Sequence, residues 1–265
     1  MFKRGNLKKC YIAKYKNQEE FLTRIDIMKV VIVGASSGIG RVLALKYAER
    51  GDTVGITGRR MELLNSIRSE YPDKIFAVED DVTGEKTEES LKELISKIGG
   101  MDRLIYCAGY GKSNKEMDVT KEFRAVEVNI KGYQRVALFA FNYFEHIGAG
   151  HIAVIASIAG VRSLGTAPAY SATKQFEITY HEALQKVARI RKSKIKFTTI
   201  MPGFIDTDFL SGNYYPMKMG LDYAAGRIFK AIDRQKRKAI IDWRWHIIVC
   251  LWRLIPTSIW VRLKI

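Results

Sequence analysis

Cysteine is scarce in this chain. Its 265 residues include only Cys10, Cys107 and Cys250, which are odd in number and far apart. This spacing provides neither a disulfide framework nor the paired thiols of a metal site. We therefore predict a protein without a bound metal that works in a reducing compartment, where thiols stay free.

Long apolar runs are also missing. No stretch approaches eighteen uncharged apolar residues, so we predict no membrane-spanning helix. The N-terminal segment lacks the apolar core of a signal peptide because it is interrupted by Lys8, Lys9, Lys14 and Lys16. These two absences predict a cytoplasmic protein.

Acidic residues are too few to balance the basic ones, and the formal net charge is +16. Residues 1–27 contribute +4 and residues 227–265 contribute +8, so the body between them is only mildly basic. A nucleic-acid-binding protein carries its basic charge along the working face, and no helix-turn-helix or zinc signature is present. We therefore expect no nucleic-acid partner, but a basic C-terminal end suited to an anionic surface.

From Met28 onward, short apolar segments alternate with longer amphipathic ones. The predicted strands are Val30–Val33, Thr53–Thr57, Ile75–Glu79, Arg103–Cys107, His151–Ala156, Lys196–Met201 and, late in the chain, Ala239–Trp243. The predicted helices are Arg41–Arg50, Met61–Glu70, Glu88–Lys97, Glu122–Phe144 and Ala172–Ile190. This alternation predicts one α/β domain, built on a doubly wound parallel sheet of the Rossmann type.

Three segments follow from these patterns. Residues 28–243 form the predicted domain. Residues 1–27 are interpreted as an extension upstream of a natural start at Met28, and the alternative is an arm that packs on the domain. Residues 244–265 form a C-terminal tail.

A glycine-rich loop joins the first predicted strand to the first helix. It runs Gly34-Ala35-Ser36-Ser37-Gly38-Ile39-Gly40. In this context backbone N–H groups approach a pyrophosphate at the helix N-terminus, and the three glycines permit the turn, the close approach and the helix packing. The spacing Gly-x-x-x-Gly-x-Gly resembles that of the classical short-chain dehydrogenase/reductase family.

The resemblance covers Met28 to Thr207 and extends to a Tyr-x-x-x-Lys motif at Tyr170 and Lys174. Four residues apart on a helix, these side chains share one face. A tyrosine ordinarily titrates near pH 10, and we expect the lysine ammonium and an oxidised nicotinamide to lower its pKa. Tyr170 then exchanges a proton with the substrate oxygen, and Lys174 also bonds the nicotinamide ribose.

Ser157 and Asn129 complete the catalytic set that the resemblance implies. Ser157 follows a predicted strand thirteen residues before Tyr170, and its hydroxyl would stabilise negative charge on the carbonyl oxygen. Asn129 matches the position that holds a water linking Lys174 to solvent.

The cofactor is predicted to be NADP. About twenty residues after the glycine loop, where NAD-binding domains place an acidic residue on the ribose, this chain has Gly58 followed by Arg59 and Arg60. A guanidinium can bind a 2′-phosphate with two parallel hydrogen bonds. The alternative is that both arginines are solvated loop charges.

The resemblance places further cofactor contacts after later strands. They are Asp81 and Val82 near the adenine, Ala108 and Gly109 at a close backbone approach, and Pro202, Gly203, Ile205 and Thr207 at the nicotinamide. One departure is Tyr106-Cys107, where the family has two asparagines, and it puts the local bracing of the sheet in doubt. Cys107 is predicted to be a small buried residue.

The segment after Thr207 holds Tyr214, Tyr215, Pro216, Met217 and Met219. In the family this region covers the substrate, so its composition favours an apolar substrate such as a steroid, an acyl chain or an aromatic ketone. The alternative is that these side chains fill the core.

The C-terminal tail concentrates aromatic and basic residues. It follows Trp243, and its own tryptophans are interleaved with basic side chains: Trp245, Trp252, Trp260, Arg244, Arg253, Arg262 and Lys264. Pro256 is predicted to divide it into two short helices. The composition fits a helix in a membrane interface, at the inner face of a membrane, and equally fits a tail that docks on the domain or on a second subunit.

The sequence thus predicts an oxidoreductase that interconverts a ketone or aldehyde and an alcohol with NADPH, in a homo-oligomer. Two alternatives remain. One is a non-catalytic NADP-binding sensor or scaffold, and the other is an epimerase or dehydratase with retained cofactor.

Overall fold

The computed structural model describes residues 27–210 and 215–263. Seven parallel strands form one sheet in the order β3-β2-β1-β4-β5-β6-β7. The strands are β1 Lys29–Val33, β2 Thr53–Gly58, β3 Ile75–Glu79, β4 Arg103–Tyr106, β5 Ala149–Ile155, β6 Lys194–Pro202 and β7 Lys238–Ile241. The predicted doubly wound sheet is confirmed. The predicted N-terminal extension lies outside the described residues, apart from Ile27.

Helices connect and cover the strands. They are α1 Gly38–Glu49, α2 Met61–Glu70, α3 Thr87–Ile98, α4 Val119–Val126, α5 Tyr133–Ile147, α6 Pro168–Ile190, α7 Leu221–Asp233, α8 Trp243–Leu254 and α9 Thr257–Trp260. Short 3₁₀ segments occur at Ile158–Gly160 and Asp208–Leu210.

One predicted helix, Glu122–Phe144, is wrong as a single element. A π-helical turn, Glu127–Gly132, separates α4 from α5. A β-carbon at Gly132 would lie 2.8 Å from Val82, so the glycine allows this turn to approach the loop after β3. A π-helical turn adds one residue to the helix, and hydrophobic periodicity does not reveal this insertion. π-helical turns often occur at functional sites.

The sheet is buried on both faces because its strands are apolar without alternation. One core cluster combines the sheet with α1, α2, α7 and α8, and includes Leu43, Ile67 and Ile228. The other combines it with α3, α5 and α6, and includes Leu94 and Phe144. The strand order reverses between β1 and β4, where consecutive connections leave toward opposite faces. A crevice therefore opens at the carboxyl ends of these strands.

The predicted strand Ala239–Trp243 ends early, at Ile241. Asp242 has a positive φ of 74°, and its carboxylate accepts a hydrogen bond of 2.9 Å from the backbone N–H of Arg244. This cap ends the strand and starts α8 at Trp243. The predicted break at Pro256 is confirmed, since α9 begins at the next residue.

The tail packs on the domain through its tryptophans. Trp245 and Trp260 are buried, and Trp252 makes edge contacts with both, at centroid distances of 6.2 and 5.3 Å. The Trp260 indole donates a 2.9 Å hydrogen bond to the carbonyl of Ser163. Arg162 donates to the carbonyl of Trp252 at 3.1 Å and also to that of Ile255. The predicted docking of the tail on the domain therefore applies to its inner face. Lys264 lies outside the described residues.

Within residues 27–210 and 215–263, no helix is long and apolar enough to cross a membrane. The same residues contain no group of three His, Cys, Asp or Glu side chains able to hold a metal ion.

Candidate functional site

The glycine loop packs tightly against the end of β4. Gly34 has a φ of 85°, and a β-carbon on it would lie 2.4 Å from the backbone N of Ala108. A β-carbon on Gly40 would lie 2.4 Å from the carbonyl oxygen of Gly34. Only glycine fits both positions. Helix α1 begins at Gly38, so its free N–H groups face the crevice, as a phosphate-binding loop requires.

The two predicted arginines lie beside this loop. The Arg60 guanidinium donates hydrogen bonds to the hydroxyls of Ser36 and Ser37, at 3.2 and 2.9 Å. The Arg59 guanidinium lies 3.9 Å from the carboxylate of Asp81. Both side chains are exposed and line the crevice, so Arg60 adds positive charge directly at the loop.

Asp81 and Val82 lie at the far side of the crevice. The Asp81 carboxylate accepts hydrogen bonds from the backbone and hydroxyl of Thr83, at 3.0 and 2.8 Å. Burial raises the pKa of Asp81, but these bonds and the charges of Arg59 and Arg124 outweigh it, so the net shift is downward. Asp81 is therefore an ionised acceptor at neutral pH.

The four predicted catalytic residues lie together. Ser157 follows β5, and its Oγ accepts a 3.1 Å hydrogen bond from the N–H of Ala159, so its own O–H remains a hydrogen-bond donor. The Lys174 ammonium lies 5.9 Å from the ring centroid of Tyr170, one turn away on α6. Asn129 is fully buried in the π-helical turn.

The amide of Asn129 is fixed by three hydrogen bonds. It donates to the carbonyl of Tyr110 at 2.8 Å and to the hydroxyl of Thr173 at 2.9 Å, and its oxygen accepts from the N–H of Tyr110 at 2.8 Å. A β-carbon on Gly109 would touch both Lys174 Nζ and Asn129 Oδ1, at 3.5 and 3.7 Å. Asn129 thus holds the loop after β4 against the lysine.

One cleft of about 320 Å³ connects these groups. With the exception of Asn129, which lies behind the wall, every predicted site residue lines it: Gly34, Ser36, Ser37, Gly38, Ile39, Gly40, Arg59, Arg60, Asp81, Val82, Ala108, Gly109, Ser157, Tyr170, Lys174, Pro202, Gly203, Ile205 and Thr207.

The lining has the donors that a dinucleotide needs. The N-terminal residues of α1 and Arg60 line the same cleft as Tyr170 and Lys174. The buried hydroxyl of Thr57, which lies in the lining, finds no hydrogen-bond partner among residues 27–210 and 215–263. The residues present therefore fit a nicotinamide dinucleotide cofactor.

The family comparison agrees with this geometry. The family described as short chain dehydrogenase matches residues 28–215. The chain belongs to the short-chain dehydrogenase family. It is therefore an oxidoreductase by family.

Relatives and solved structures extend the comparison. An uncharacterized oxidoreductase of Mycobacterium tuberculosis (strain ATCC 25618 / H37Rv) is 31% identical over 247 residues, which cover 89% of this chain and 96% of the relative. Another uncharacterized oxidoreductase, from Staphylococcus aureus (strain NCTC 8325 / PS 47), is 35% identical over 181 residues, which cover 67% of this chain and 78% of the relative.

The solved structures show the shared fold. A short-chain dehydrogenase from Streptomyces avermitilis has a TM-score of 0.76 at 23% identity, covering 90% of this chain and 96% of its own. ElxO with NADP bound has a TM-score of 0.72 at 24% identity, and the match covers 82% of this chain and 97% of ElxO.

The doubt about the missing family asparagines is resolved by Tyr106. Its hydroxyl donates a 2.8 Å hydrogen bond to the carbonyl of Val128 and so joins β4 to the π-helical turn. Cys107 is partly buried, and burial raises the pKa of its thiol to about 12. This short-chain dehydrogenase therefore braces the strand end with a phenol, and Cys107 stays a protonated thiol.

The expectation that the pKa of Tyr170 is lowered is not met by the protein groups alone. Burial of the phenol raises this pKa above its ordinary value. The charge of Lys174 and a hydrogen bond with Ser157 offset the rise only in part, and the charge of Glu177 adds to it. Tyr170 is thus a neutral phenol at physiological pH.

Glu177 was missed by the sequence analysis. Both of its carboxylate oxygens lie 2.9 Å from Lys174 Nζ, and the side chain is fully buried. Burial raises the pKa of Glu177 to about 7 even though the Lys174 ammonium lowers it. The i, i+3 spacing to Lys174 was the available signal, but surface pairs on helices have the same spacing.

The substrate side of the cleft is apolar. Phe209 packs on Tyr170 with 5.7 Å between ring centroids, and the wall also includes Leu164, Phe204 and Leu210. The segment proposed to cover the substrate contributes less than expected.

Met219 is buried in the core, and Met217 packs against it from a partly buried position, so the core-filling alternative applies to both. Tyr215 packs on Phe204 with 4.8 Å between centroids, and Tyr214 lies outside the described residues.

Proposed function

We propose that this short-chain dehydrogenase reduces a ketone or aldehyde to an alcohol, and catalyses the reverse reaction, with NADPH as the hydride donor. The observation that carries the proposal is that Ser157, Tyr170 and Lys174 line the same cleft as the glycine loop and Arg60. Bound NADPH supplies the hydride.

The protein groups manage the proton and the developing charge. The O–H of Ser157 would donate a hydrogen bond to the carbonyl oxygen of the substrate. Tyr170 gives its phenolic proton to the same oxygen as hydride reaches the carbon, and takes it back during oxidation. Lys174, whose Nζ lies 5.9 Å from the ring centroid of Tyr170, would bond the nicotinamide ribose.

The apolar wall beside Tyr170 supports an apolar substrate of the steroid, acyl-chain or aromatic ketone type. Phe204, Phe209 and Leu164 offer no charged or amide group to such a ligand. Arg60 beside Ser36 and Ser37 supports NADPH over NADH.

NADPH consumption across steroids, long-chain 3-keto compounds and small aldehydes tests the proposal. We expect at least one class to be turned over. Tyr170→Phe should lose more than 99% of that activity but still bind NADPH, as measured by the same change in NADPH fluorescence as with the parent. Tyr180→Phe, on the same helix, is the matched control. NADPH binding without turnover of any class favours a sensor or scaffold, and product formation without net NADP⁺ release favours an epimerase or dehydratase.

Contact with an anionic lipid surface is a second proposal, and it rests on the outer face of α8. Trp243, Ile247, Leu251 and Leu254 follow one another at helical spacing and are exposed, Trp243 by 65% and Leu254 by 78%. The same segment of the chain carries the basic residues Arg244, Arg253 and Arg262, of which Arg244 pairs with Asp242. A stripe of this kind matches the apolar and anionic layers of a membrane interface.

Self-association is the remaining part of the proposal. The family resemblance implies a homo-oligomer formed through the long helices, which here include α5 and α6. Exposed Leu138 and Ile190 on these helices support it. Sedimentation velocity of the full chain tests this point.

A further inference from the structure

Helix α6, which carries the proposed proton donor, begins without a side-chain cap of its own. Its N-cap residue is Ala167, whose side chain forms no hydrogen bonds, and its first residue is Pro168, which has no N–H. The first N–H groups of a helix have no partner within the helix. The N–H of Ala169 instead donates a 3.0 Å hydrogen bond to Oε2 of Glu122, which lies on α4, 47 residues earlier. The cap of α6 is therefore supplied by another helix.

The second oxygen of the same carboxylate holds the loop after β4. Oε1 of Glu122 accepts a 2.7 Å hydrogen bond from Nδ2 of Asn114, whose side chain is 1% exposed. Asp118 fixes the orientation of this amide, because its N–H donates to Asn114 Oδ1 at 2.8 Å and its carbonyl accepts from Nδ2 at 3.0 Å. The backbone N–H of Asn114 also donates to the carbonyl of Thr166, just before α6, at 2.8 Å. Glu122 and Asn114 therefore join the loop after β4 to the start of α6.

The two joined segments meet at the ring of Tyr170. Tyr170 directly follows Ala169, whose N–H is bonded to Glu122. Gly111, in the loop that Asn114 organises, lies against the ring, since a β-carbon on Gly111 would lie 2.7 Å from Tyr170 Cε2. Glu122 and Asn114 themselves lie outside the lining of the cleft, so any effect they have on the reaction passes through the position of the ring.

We propose that Glu122 is a positioning residue that holds the start of α6 and the loop after β4 together and so aims the Tyr170 phenol at the substrate oxygen. The inference rests on the proposed function, in which Tyr170 transfers the proton. Catalysis depends steeply on such placement, and a displacement of about 1 Å can lower a rate by about a hundredfold. The loss of one bond to Glu122 should therefore be visible in kcat.

The hydrogen-bonding pattern explains why a carboxylate is needed at this position. An ionised carboxylate offers only acceptors, and the Ala169 N–H and the Asn114 Nδ2 group are both donors. Glutamine has one acceptor and one donor, so Glu122→Gln can serve either partner but not both. A negative charge is also favourable at the N-terminus of a helix.

The double variant Asn114→Asp/Glu122→Gln restores the match between donors and acceptors. In it the glutamine oxygen accepts from the Ala169 N–H, and the glutamine amide donates to the carboxylate introduced at position 114. The net charge is that of the parent. The carbonyl of Asp118 loses one donor, so we expect kcat to recover to within about threefold of the parent rather than completely.

The kinetic test uses the full chain and a substrate found in the NADPH-consumption panel. We expect Glu122→Gln to lower kcat about tenfold, while the dissociation constant for NADPH stays within about twofold of the parent value. A general loss of folded protein would lower the NADPH-binding capacity by the same factor as kcat, so the two measurements separate positioning from folding. Glu116→Gln is the control, an exposed glutamate of the same loop, and should keep the parent kcat.

Hydrogen exchange tests the bridge without a substrate. Two peptides are followed, one covering the first turn of α6 and one covering the loop after β4. Exchange in at least one of them should be faster in Glu122→Gln than in the parent and should slow again in the double variant. Unchanged exchange in both peptides overturns the proposal.

The kinetic outcomes separate this inference from the proposed function. A Glu122→Gln variant with the parent kcat overturns the inference, as does an equal loss in Glu116→Gln or a loss that the double variant does not reduce. If Glu122→Gln does not fold, Glu122→Asp takes its place, because it keeps both acceptors on a shorter side chain, and a parent kcat in that variant overturns the inference.

A parent that turns over no class in the panel, or an active Tyr170→Phe, removes the proposed function and this inference with it. An inactive Tyr170→Phe beside an unaffected Glu122→Gln removes only the role of Glu122.

Discussion

The indole of Trp245 packs directly on Gly203. A β-carbon at Gly203 would lie 2.2 Å from Trp245 Nε1 and 2.3 Å from its Cδ1. The same indole meets the Phe204 ring at an angle of 80°, with 5.4 Å between centroids. The first helix of the tail is therefore built into the loop after β6, which forms one wall of the cleft.

Gly203→Ala tests this contact. We expect a loss of about 1–3 kcal/mol in the free energy of unfolding, because a methyl group added beside a fixed indole must displace it. The Michaelis constant for NADPH should also rise, since Gly203 lines the cleft. Urea unfolding and steady-state kinetics measure the two effects.

Gly226→Ala is the control for this substitution. Gly226 lies inside α7, and a β-carbon there meets nothing within 4 Å among the described residues. Alanine is the better helix former by about 0.5–1 kcal/mol, so this variant should be slightly more stable than the parent. Equal stability of the two variants would show that Trp245 adjusts freely.

The preference for NADPH should depend on Arg59 and Arg60. We expect the double variant Arg59→Ala/Arg60→Ala to bind NADPH about tenfold or more weaker, because a charge-assisted hydrogen bond contributes about 1.5–3 kcal/mol. Binding of NADH should change little. Arg68→Ala, an exposed arginine on the following helix, is the control. Equal weakening for both cofactors would place the arginines on a part of the dinucleotide that NADH shares.

The sheet and the cleft could be predicted because each depends on local sequence. Runs such as Val30–Val33 are apolar on both faces, which only a covered parallel sheet accommodates. Short backbone contacts require glycine at Gly34 and Gly40, so the loop can be recognised in the sequence by the spacing of its glycines. Tyr170 and Lys174 are likewise fixed by one helical turn.

The remaining features depend on contacts between distant segments. Asn129, in the π-helical turn between α4 and α5, bonds Tyr110 and Thr173, and no local pattern shows these partners. Glu177 has the spacing of a surface ion pair, and only burial distinguishes it. The inner face of the tail depends on Arg162, which lies about ninety residues earlier in the chain.

Acid should destabilise the fold through buried histidines. Burial lowers the pKa of His151 and of His181 to about 3, so both are neutral in the folded protein. A histidine in the unfolded chain takes up its proton near pH 6.5, so this contribution is fully present above 6.5 and is lost as pH falls toward 3. Each histidine should lower the free energy of unfolding by about 2 kcal/mol at pH 5 relative to pH 7.

Urea unfolding of the parent and of His181→Gln between pH 7 and pH 5 measures this effect. Stability should fall less steeply in His181→Gln than in the parent. His146→Gln, an exposed histidine on α5, is the control and should follow the parent curve. A parallel decline in all three proteins would assign the acid effect to other groups.

The outer face of α8 should bind anionic vesicles without spanning them. Trp243, Ile247, Leu251 and Leu254 are exposed on this face, while Trp245 and Val249 on the opposite face are buried. Insertion of the exposed side chains provides a salt-resistant part of the binding. The basic residues nearby contribute about 1 kcal/mol each near an anionic surface, and this part weakens with salt.

Co-sedimentation of the full chain with vesicles of 30% phosphatidylserine, at low and high salt, measures both parts. Neutral phosphatidylcholine vesicles should retain less protein, and salt should release part of what the anionic vesicles bind. The double variant Leu251→Gln/Leu254→Gln should lose most of the binding, whereas Leu138→Gln on α5 should not. Protein that stays in the supernatant at low salt contradicts the prediction. If the double variant instead has a lower sedimentation coefficient than the parent in the absence of vesicles, the outer face of α8 contacts a second copy of the chain rather than lipid.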